Sequence, residues 1–436
     1  MYLFEWNIRS FLNICNCIIL VKNNLKYLKN NLGELWYLLS SLVIPAVGFL
    51  TSFLVARFVS PEENGIIESY FLILPYFGFI QLGVFNGLNR NIAFYKAKGE
   101  LSKVNLQVGT SLYVSRFVSI LSFIIVLGYL YVNQKTYTLL DYLAIFGVLL
   151  ISFFTPIALH IDTTFRSGQD FKKLGTLRFY EAGVQLLLTP LLFFLRGYGK
   201  VIIQVVKVLT GALLRIKHSP YNVKPHFDLS SYKDLLKVGF PLLFGGYIFT
   251  LYTISDQSII SIKLGPTALG YYFLSKLIIT TMLIVPSSLT AIFYPKASAT
   301  FGSSGNKSSL RIFFWKALFI NILVLSPLAL ILYINIDFVV FNYLPKYISG
   351  IEAAKINIIT GLSFISIGPG VIIGVLKKNT FYIFLVSTCL LIMWFINFFV
   401  KIDSIEQVAY FRCVTSFFLA IGTIVYSFYI TFESNE

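Results

Sequence analysis

Stretches of roughly 20 mostly apolar residues recur along the whole chain and are separated by short, charged loops. A helix needs about 20 such residues to cross the hydrocarbon core of a bilayer. With 57% hydrophobic and only 12% charged residues, a water-soluble fold could not bury the apolar surface. The pattern predicts an all-α integral membrane protein of about twelve transmembrane helices. The predicted spans are 35–58, 65–88, 106–132, 139–161, 174–195, 199–214, 238–261, 268–293, 312–335, 353–376, 380–400 and 407–431.

Basic residues are concentrated in alternate loops, such as those around Arg90, Arg166, Arg215 and Lys296. Cytoplasmic loops of membrane proteins carry an excess of Lys and Arg, whereas translocated loops do not. The alternation therefore predicts that these loops, and both chain termini, are cytoplasmic. The net charge of +16 is then spread over short loops as a topology signal. No continuous basic face remains for a nucleic acid.

The loops divide the chain into two halves. We expect a cytoplasmic N-terminal extension at 1–31, an N-terminal six-helix bundle at 32–214, a central cytoplasmic loop at 215–237 and a C-terminal six-helix bundle at 238–436. Within the central loop, the amphipathic stretch 229–237 is expected to lie in the membrane interface.

Short motifs repeat between the two halves. A Pro-x-x-x-Gly turn opens the second span of each half, from Pro61 to Gly65 and from Pro266 to Gly270. A Phe-Tyr motif follows in each half, at Phe94 and again at Phe293. Six helices separate the copies, so the repeats are parallel and related by a pseudo-two-fold axis along the membrane normal. Such an arrangement is typical of transporters that work by alternating access.

Ionisable residues inside spans usually face a cavity or a partner, because an unpaired charge in hydrocarbon is costly. The basic residues outnumber the acidic ones, which predicts a cationic lumen and an anionic cargo such as a phosphate or pyrophosphate. The residues assigned to spans are Arg116, Lys207, Lys276, Lys316 and Arg412 on the basic side, and Glu181 and Asp256 on the acidic side.

Several of these residues have a second interpretation. Glu181 follows Arg178 at the spacing of an ion pair on one helix face. Asp256 could pair with Lys276, and such a pair could act as a counter-ion lock or as a proton or sodium site. For Lys316 and Arg412, the alternative is that the side chain extends to the membrane interface.

No motif indicates a catalytic or metal site. The four cysteines, Cys15, Cys17, Cys389 and Cys413, have neither metal-ligand nor disulfide-framework spacing. The sequence shows no carboxylate dyad, nucleophile motif or phosphate-binding loop. We therefore expect neither an enzyme nor a bound cofactor or metal, although transport could be coupled to a proton gradient, a sodium gradient or the membrane potential.

Several runs of residues resemble a known family. They are Phe58 to Gly65, Gly83 to Glu100, Val238 to Pro241 leading to Asp256, and Gly265 to Tyr272. From about residue 25 to the end, the chain resembles the polysaccharide flippases of the multidrug, oligosaccharidyl-lipid and polysaccharide exporter superfamily.

This resemblance implies two six-helix bundles around a cationic cavity in the cytoplasmic membrane of a bacterium or archaeon. It also implies outward flipping of undecaprenyl-pyrophosphate-linked oligosaccharides for surface polysaccharide, with polymerase or assembly proteins as partners. By position, Arg90 matches the basic residue that commonly closes the second helix of the family. Gln257 departs from the family pattern, in which a basic residue often follows the Asp.

The sequence hypothesis is that Arg90, Arg116 and Lys276 attract the pyrophosphate while Asn86 meets the sugar. Asp256 would couple the movement to an ion gradient. One rival is a multidrug exporter of the same superfamily, which would need a carboxylate-rich or aromatic pocket. A second rival is a membrane-embedded polysaccharide polymerase or ligase, which would need a long external loop; the longest predicted one, 335–355, is short.

Overall fold

The computed structural model describes residues 32–132, 137–304 and 306–432, and contains no strand within these ranges. The extension predicted at 1–31 lies outside the described residues. Eight helices make up the N-terminal half: α1 Leu32–Phe58, α2 Pro61–Phe71, α3 Leu74–Phe77, α4 Val84–Ala97, α5 Leu101–Val132, α6 Leu139–Ser167, α7 Phe171–Leu188 and α8 Leu191–Lys217.

Eight further α-helices make up the C-terminal half, with short 3-10 turns at Lys307–Leu310, Pro345–Gly350 and Ser363–Ser366. The helices are α9 Leu229–Lys263, α10 Pro266–Tyr271, α11 Phe273–Ser304, α12 Arg311–Tyr343, α13 Ile351–Leu362, α14 Ile367–Val375, α15 Asn379–Phe399 and α16 Ile405–Phe432.

Three membrane segments are broken helices. The short helices α2, α3 and α4 follow one another as a single segment, as do α10 with α11 and α13 with α14. Grouping them gives the twelve segments that the sequence predicts, and the fold class is confirmed. Within the described residues, nine helical stretches are long and apolar enough to cross a membrane by length and composition alone. The other three segments, 61–97, 171–188 and 191–217, are the more polar ones.

The central loop is shorter than the sequence suggested. Helix α8 continues to Lys217 and α9 begins at Leu229, because the Asp228 carboxylate accepts a hydrogen bond from the Ser231 backbone N–H at 2.7 Å and caps the helix. Hydrogen bonds from Ser231 also lower the pKa of Asp228. The amphipathic stretch 229–237 therefore belongs to α9, and its place in the membrane interface stays a prediction. These residues form the first turns of α9, and Leu235 is buried against α4.

Two ends of the bundle are distinguished by their residues. We call the end that carries Pro61 and Pro266 the proline end. The opposite end carries the central loop and the loops beside Lys98, Gly168 and Lys377, and we call it the basic end. The positive-inside pattern predicts that the basic end is cytoplasmic.

The two halves meet most closely at the proline end, where α2 packs against α10. A Cβ atom added to Gly65 would lie 1.8 Å from the backbone oxygen of Pro266, and one added to Gly270 would lie 1.8 Å from that of Pro61. The repeated Pro-x-x-x-Gly turns are therefore reciprocal contacts, in which each glycine packs on the proline of the other half. Only a residue without a Cβ permits this backbone approach.

A second close contact joins α4 to α9 further toward the basic end. A Cβ on Gly239 would lie 1.9 Å from the backbone oxygen of Gly83. Gly83 also has a φ of 93°, a backbone conformation that glycine adopts without a steric penalty. The break between α3 and α4 thus brings α4 against the other half.

We expect Gly65→Ala to destabilise the protein by about 1–3 kcal/mol, because the added methyl group overpacks the contact with α10. The measurement is the thermal unfolding midpoint of purified protein in detergent. Gly128→Ala is the matched control, since nothing lies within 4 Å of a Cβ at that position. Equal midpoints for the two variants would contradict the contact.

Candidate functional site

A cavity of about 180 Å³ lies between the two halves. Its lining includes Glu68 of α2, Lys200 and Lys207 of α8, and Lys276 of α11. We call it the lysine cavity. The polar side chains of Thr51, Gln185 and Gln204 line other parts of its wall.

Glu68 sits between two lysines. Its Oε1 atom lies 2.5 Å from Lys200 Nζ, and its Oε2 atom lies 2.6 Å from Lys276 Nζ. Lys200 also donates a hydrogen bond to Asn64 Oδ1 at 2.5 Å. Asn64 and Glu68 can share this partner because residues four apart lie on one face of a helix. The Ser60 side chain caps that helix by accepting from the Glu63 N–H.

The ion pair with Lys276 crosses the boundary between the halves. Glu68 and Lys200 belong to the N-terminal half, and Lys276 belongs to the C-terminal half. The Glu68 and Lys200 side chains are 7% and 4% exposed, whereas the Lys276 side chain is 40% exposed. Lys276 is thus the member of the group that solvent or a ligand can reach.

Lys207 adds a third ammonium group to the same cavity. No carboxylate in the described part of the chain lies within ion-pair distance of it. The cavity therefore holds three lysines against one carboxylate. A partly buried excess of positive charge favours an anionic ligand, which can supply the missing partner.

A second charged group is internally balanced. Arg215 of α8 donates to both Asp162 of α6 and Glu181 of α7. Arg178 lies 3.8 Å from Asp162 and donates to Ser41 Oγ at 3.1 Å. The predicted pair of Glu181 with Arg178 is therefore wrong, because the buried Arg215 takes the Glu181 carboxylate. Two arginines face two carboxylates, so this cluster fits a structural role.

A third polar group lies in the C-terminal half. Asp256 accepts hydrogen bonds from the Tyr272 hydroxyl at 2.9 Å and from the Gln257 N–H at 2.8 Å. Asn357 donates to the same Tyr272 oxygen at 3.1 Å. The predicted pair of Asp256 with Lys276 is also wrong, because Lys276 points across to Glu68 instead.

The other residues singled out from the sequence lie elsewhere. Arg90 is exposed on α4. Arg116 is exposed on a face of α5 that also exposes Phe117. Asn86 accepts a hydrogen bond from Gln81 at 3.3 Å. The structure does not bring these three residues to the lysine cavity with Lys276. Lys316 is exposed on α12, and Arg412 is buried on α16, 2% exposed.

Sequence reasoning missed Glu68 and Lys200. Lys200 lies at the very start of the predicted sixth span, 199–214, where a lysine is expected at the membrane surface, whereas α8 begins at Leu191 and carries Lys200 into the bundle. Glu68 follows Glu62 and Glu63 so closely that, from the sequence, it belongs to the charged start of a helix rather than to the interior of the bundle. One signal could have identified Glu68. It shares a helix face with Asn64, and because the surrounding residues are apolar, both polar side chains need a partner.

Comparisons with known proteins agree with this architecture. The chain matches no curated protein sequence. Among solved structures, it resembles an inward-facing conformation of a multidrug resistance MATE family transporter of the MOP superfamily, with a TM-score of 0.70, 13% identity, and coverage of 90% of this chain and 98% of that chain. An outward-facing conformation of such a transporter gives a TM-score of 0.60 at 14% identity, with coverages of 92% and 95%.

A third structure is a MOP superfamily transporter from Pyrococcus furiosus, described as having a binding pocket of reverse polarity that suggests a different function. It aligns with a TM-score of 0.62 at 13% identity, covering 92% of this chain and 95% of that chain. At these identities the likeness establishes the fold alone. The family model described as "Polysaccharide biosynthesis protein" matches residues 54–344. The chain therefore belongs to the polysaccharide biosynthesis protein family and has the fold of the multidrug, oligosaccharidyl-lipid and polysaccharide exporter superfamily.

Proposed function

We propose that this protein is a flippase that carries undecaprenyl-pyrophosphate-linked oligosaccharides from the inner to the outer leaflet of a cytoplasmic membrane by alternating access. The observation that carries the proposal is the lysine cavity between the two halves. A pyrophosphate presents several negative oxygens, and Lys200, Lys207 and Lys276 present three ammonium groups to the same space. The proposed activity is transport without a chemical change in the cargo.

The family supports the cargo assignment, because its description places it in polysaccharide biosynthesis. The charge of the cavity supports the same assignment against a cationic drug. A cationic cargo would need carboxylates in excess, whereas Glu68 is shared between two lysines.

The contacts suggest how binding drives the movement. The halves are in backbone contact at the proline end through Gly65 and Gly270. The higher TM-score to the inward-facing neighbour favours an inward-facing state, in which α9 still packs on α4 toward the basic end. In this state Glu68 bridges the halves through Lys276. An arriving pyrophosphate competes with Glu68 for Lys276, which weakens the bridge and biases the equilibrium toward a second state.

Asp256 is our candidate for ion coupling. It is buried, and its carboxylate is held by neutral donors from Tyr272 and Gln257 rather than by a cation. The buried Asn357 Oδ1 nearby has no hydrogen-bond partner. A proton or a sodium ion arriving at this group would neutralise Asp256 and satisfy its neighbours.

The direct test is a flipping assay in proteoliposomes with a fluorescent undecaprenyl-pyrophosphate oligosaccharide. We expect the Lys207→Ala/Lys276→Ala double variant to flip at least about tenfold more slowly than wild type, equivalent to about 1.4 kcal/mol of lost stabilisation. Lys316→Ala is the control, because Lys316 is exposed and outside the cavity. Wild-type rates for the double variant at equal protein abundance would sink the proposal.

Glu68→Gln should separate binding from transport. Removing the competing carboxylate frees Lys276, so inorganic pyrophosphate should bind several-fold more tightly in a titration of purified protein. Flipping should nevertheless slow, because binding no longer releases a bridge between the halves. The thermal midpoint must be measured in parallel, since Lys200 loses its buried partner. Weaker pyrophosphate binding by a folded Glu68→Gln protein would contradict the competition.

Asp256→Asn tests the coupling proposal. The variant keeps a hydrogen-bond acceptor for Tyr272 but cannot change its charge. Flipping by the wild type should accelerate when a proton or sodium gradient is imposed across the liposome, and flipping by Asp256→Asn should not respond. A variant that keeps the full gradient response would remove Asp256 from the coupling path.

A further inference from the structure

A second, larger cavity of about 470 Å³ lies within the C-terminal half. Its wall includes Tyr252 of α9, Tyr294 of α11, Tyr382 of α15 and Arg412 of α16. We call it the C-half cleft. Neither the family description nor the proposed pyrophosphate site assigns it a ligand.

Arg412 is incompletely satisfied inside this cleft. Its Nη1 atom donates to the Tyr252 backbone oxygen at 2.5 Å, and its guanidinium carbon lies 4.0 Å from the Tyr252 ring centroid. Its Nε atom is buried and has no hydrogen-bond partner. No carboxylate among the described residues lies within ion-pair distance of Arg412. Asp256 attracts Arg412 only from beyond ion-pair distance, so the buried Nε donor lacks an acceptor in contact with it.

Hydroxyl groups from two helices line the cleft. Ser287 and Thr290 of α11 and Thr423 of α16 each donate their hydroxyl hydrogen to a carbonyl of their own helix. The oxygen lone pairs therefore remain available as acceptors. A ligand that suits this wall brings hydroxyl donors of its own.

Aromatic side chains supply the remaining recognition surface. Tyr294 and Tyr382 line the wall with flat apolar faces and polar tips, whereas the buried Tyr252 ring lies against Arg412. A pyranose ring combines an apolar face with a rim of hydroxyls, so it matches aromatic faces and hydroxyl acceptors together. Along α11, the lining runs from Leu283 to Tyr294, which is about 16 Å at 1.5 Å per residue. The cleft is thus elongated rather than shaped for a single sugar.

Helix α11 connects the two cavities. Lys276 faces the lysine cavity, and Leu283, about 10 Å further along the same helix, begins the wall of the C-half cleft. A cargo whose pyrophosphate binds Lys276 would have its oligosaccharide beside this wall. We propose that the C-half cleft binds the oligosaccharide portion of the cargo, with Arg412 pairing with the carboxylate of an acidic sugar. The proposal rests on the proposed function for its lipid-linked cargo.

The experiment measures binding of water-soluble oligosaccharides to the purified full-length protein by saturation-transfer difference NMR. The probes are a hyaluronan tetrasaccharide, which contains glucuronic acid, and chitotetraose, which is neutral. We expect the dissociation constant of the acidic probe to be at least about tenfold lower than that of the neutral probe, because its carboxylate adds a charge-assisted contact with Arg412. Arg412→Gln should abolish this preference. Equal affinities in the wild type, or saturation transfer to neither probe, would overturn the assignment.

A variant at an exposed residue distinguishes loss of the binding site from loss of folding. Tyr294→Ala should weaken binding of the acidic probe several-fold without lowering the thermal midpoint, because Tyr294 is 46% exposed at the cleft. Tyr333→Ala is the matched control, since Tyr333 is equally exposed and does not line the cleft. Unchanged binding by Tyr294→Ala would refute the site. The probes carry neither lipid nor pyrophosphate, so failure here is distinguishable from failure of flipping.

Discussion

The Glu68 carboxylate held between Lys200 and Lys276 is the interaction on which the rest of the account depends. A lysine buried in a bilayer protein needs a partner, and Glu68 supplies one to a lysine from each half. The bridge therefore does two things: it neutralises part of a cationic cavity, and it connects two bodies that must move for transport. Because Lys276 is far more exposed than Lys200, an anionic cargo can exchange with the carboxylate on one side while the other side stays paired.

Backbone geometry places this bridge. The reciprocal contacts of Gly65 with Pro266 and of Gly270 with Pro61 bring α2 against α10, and Glu68 lies less than one turn beyond Gly65 on the same helix. Any side chain at either glycine would separate the helices that carry the bridge. The repeated turn found in the sequence thus forms the contact between the halves at the proline end. Because Glu68 lies on one of the helices that make this contact, the charged group lies at the boundary between the halves.

The sequence predicted the fold well because hydropathy and loop charge are local signals: nine described segments are apolar enough to span a membrane by themselves, and the charged loops mark the ends of the three more polar ones. It also placed Lys207 and Lys276 inside spans, and both line the lysine cavity, whereas Arg90, Arg116 and Asn86, which it grouped with Lys276 around the cargo, lie elsewhere. It predicted the wrong partners for Glu181 and Asp256, because a spacing of three or four residues defines a shared helix face but not which neighbouring helix approaches it. Lys200 and Glu68 were missed because each lies close to the start of a predicted span. The kink at Arg196, whose φ is 47°, hides the continuation of α8 back to Leu191, and Glu68 follows the charged helix start at Glu62 and Glu63.

The most direct test of the central claim is an experimental structure of the protein in lipid nanodiscs with bound undecaprenyl pyrophosphate. The account predicts phosphate density within hydrogen-bond distance of the Lys207 and Lys276 ammonium groups, with the Glu68 carboxylate displaced from Lys276 and still paired with Lys200. Phosphate density outside the lysine cavity, with Glu68 still paired to both Lys200 and Lys276, would contradict it.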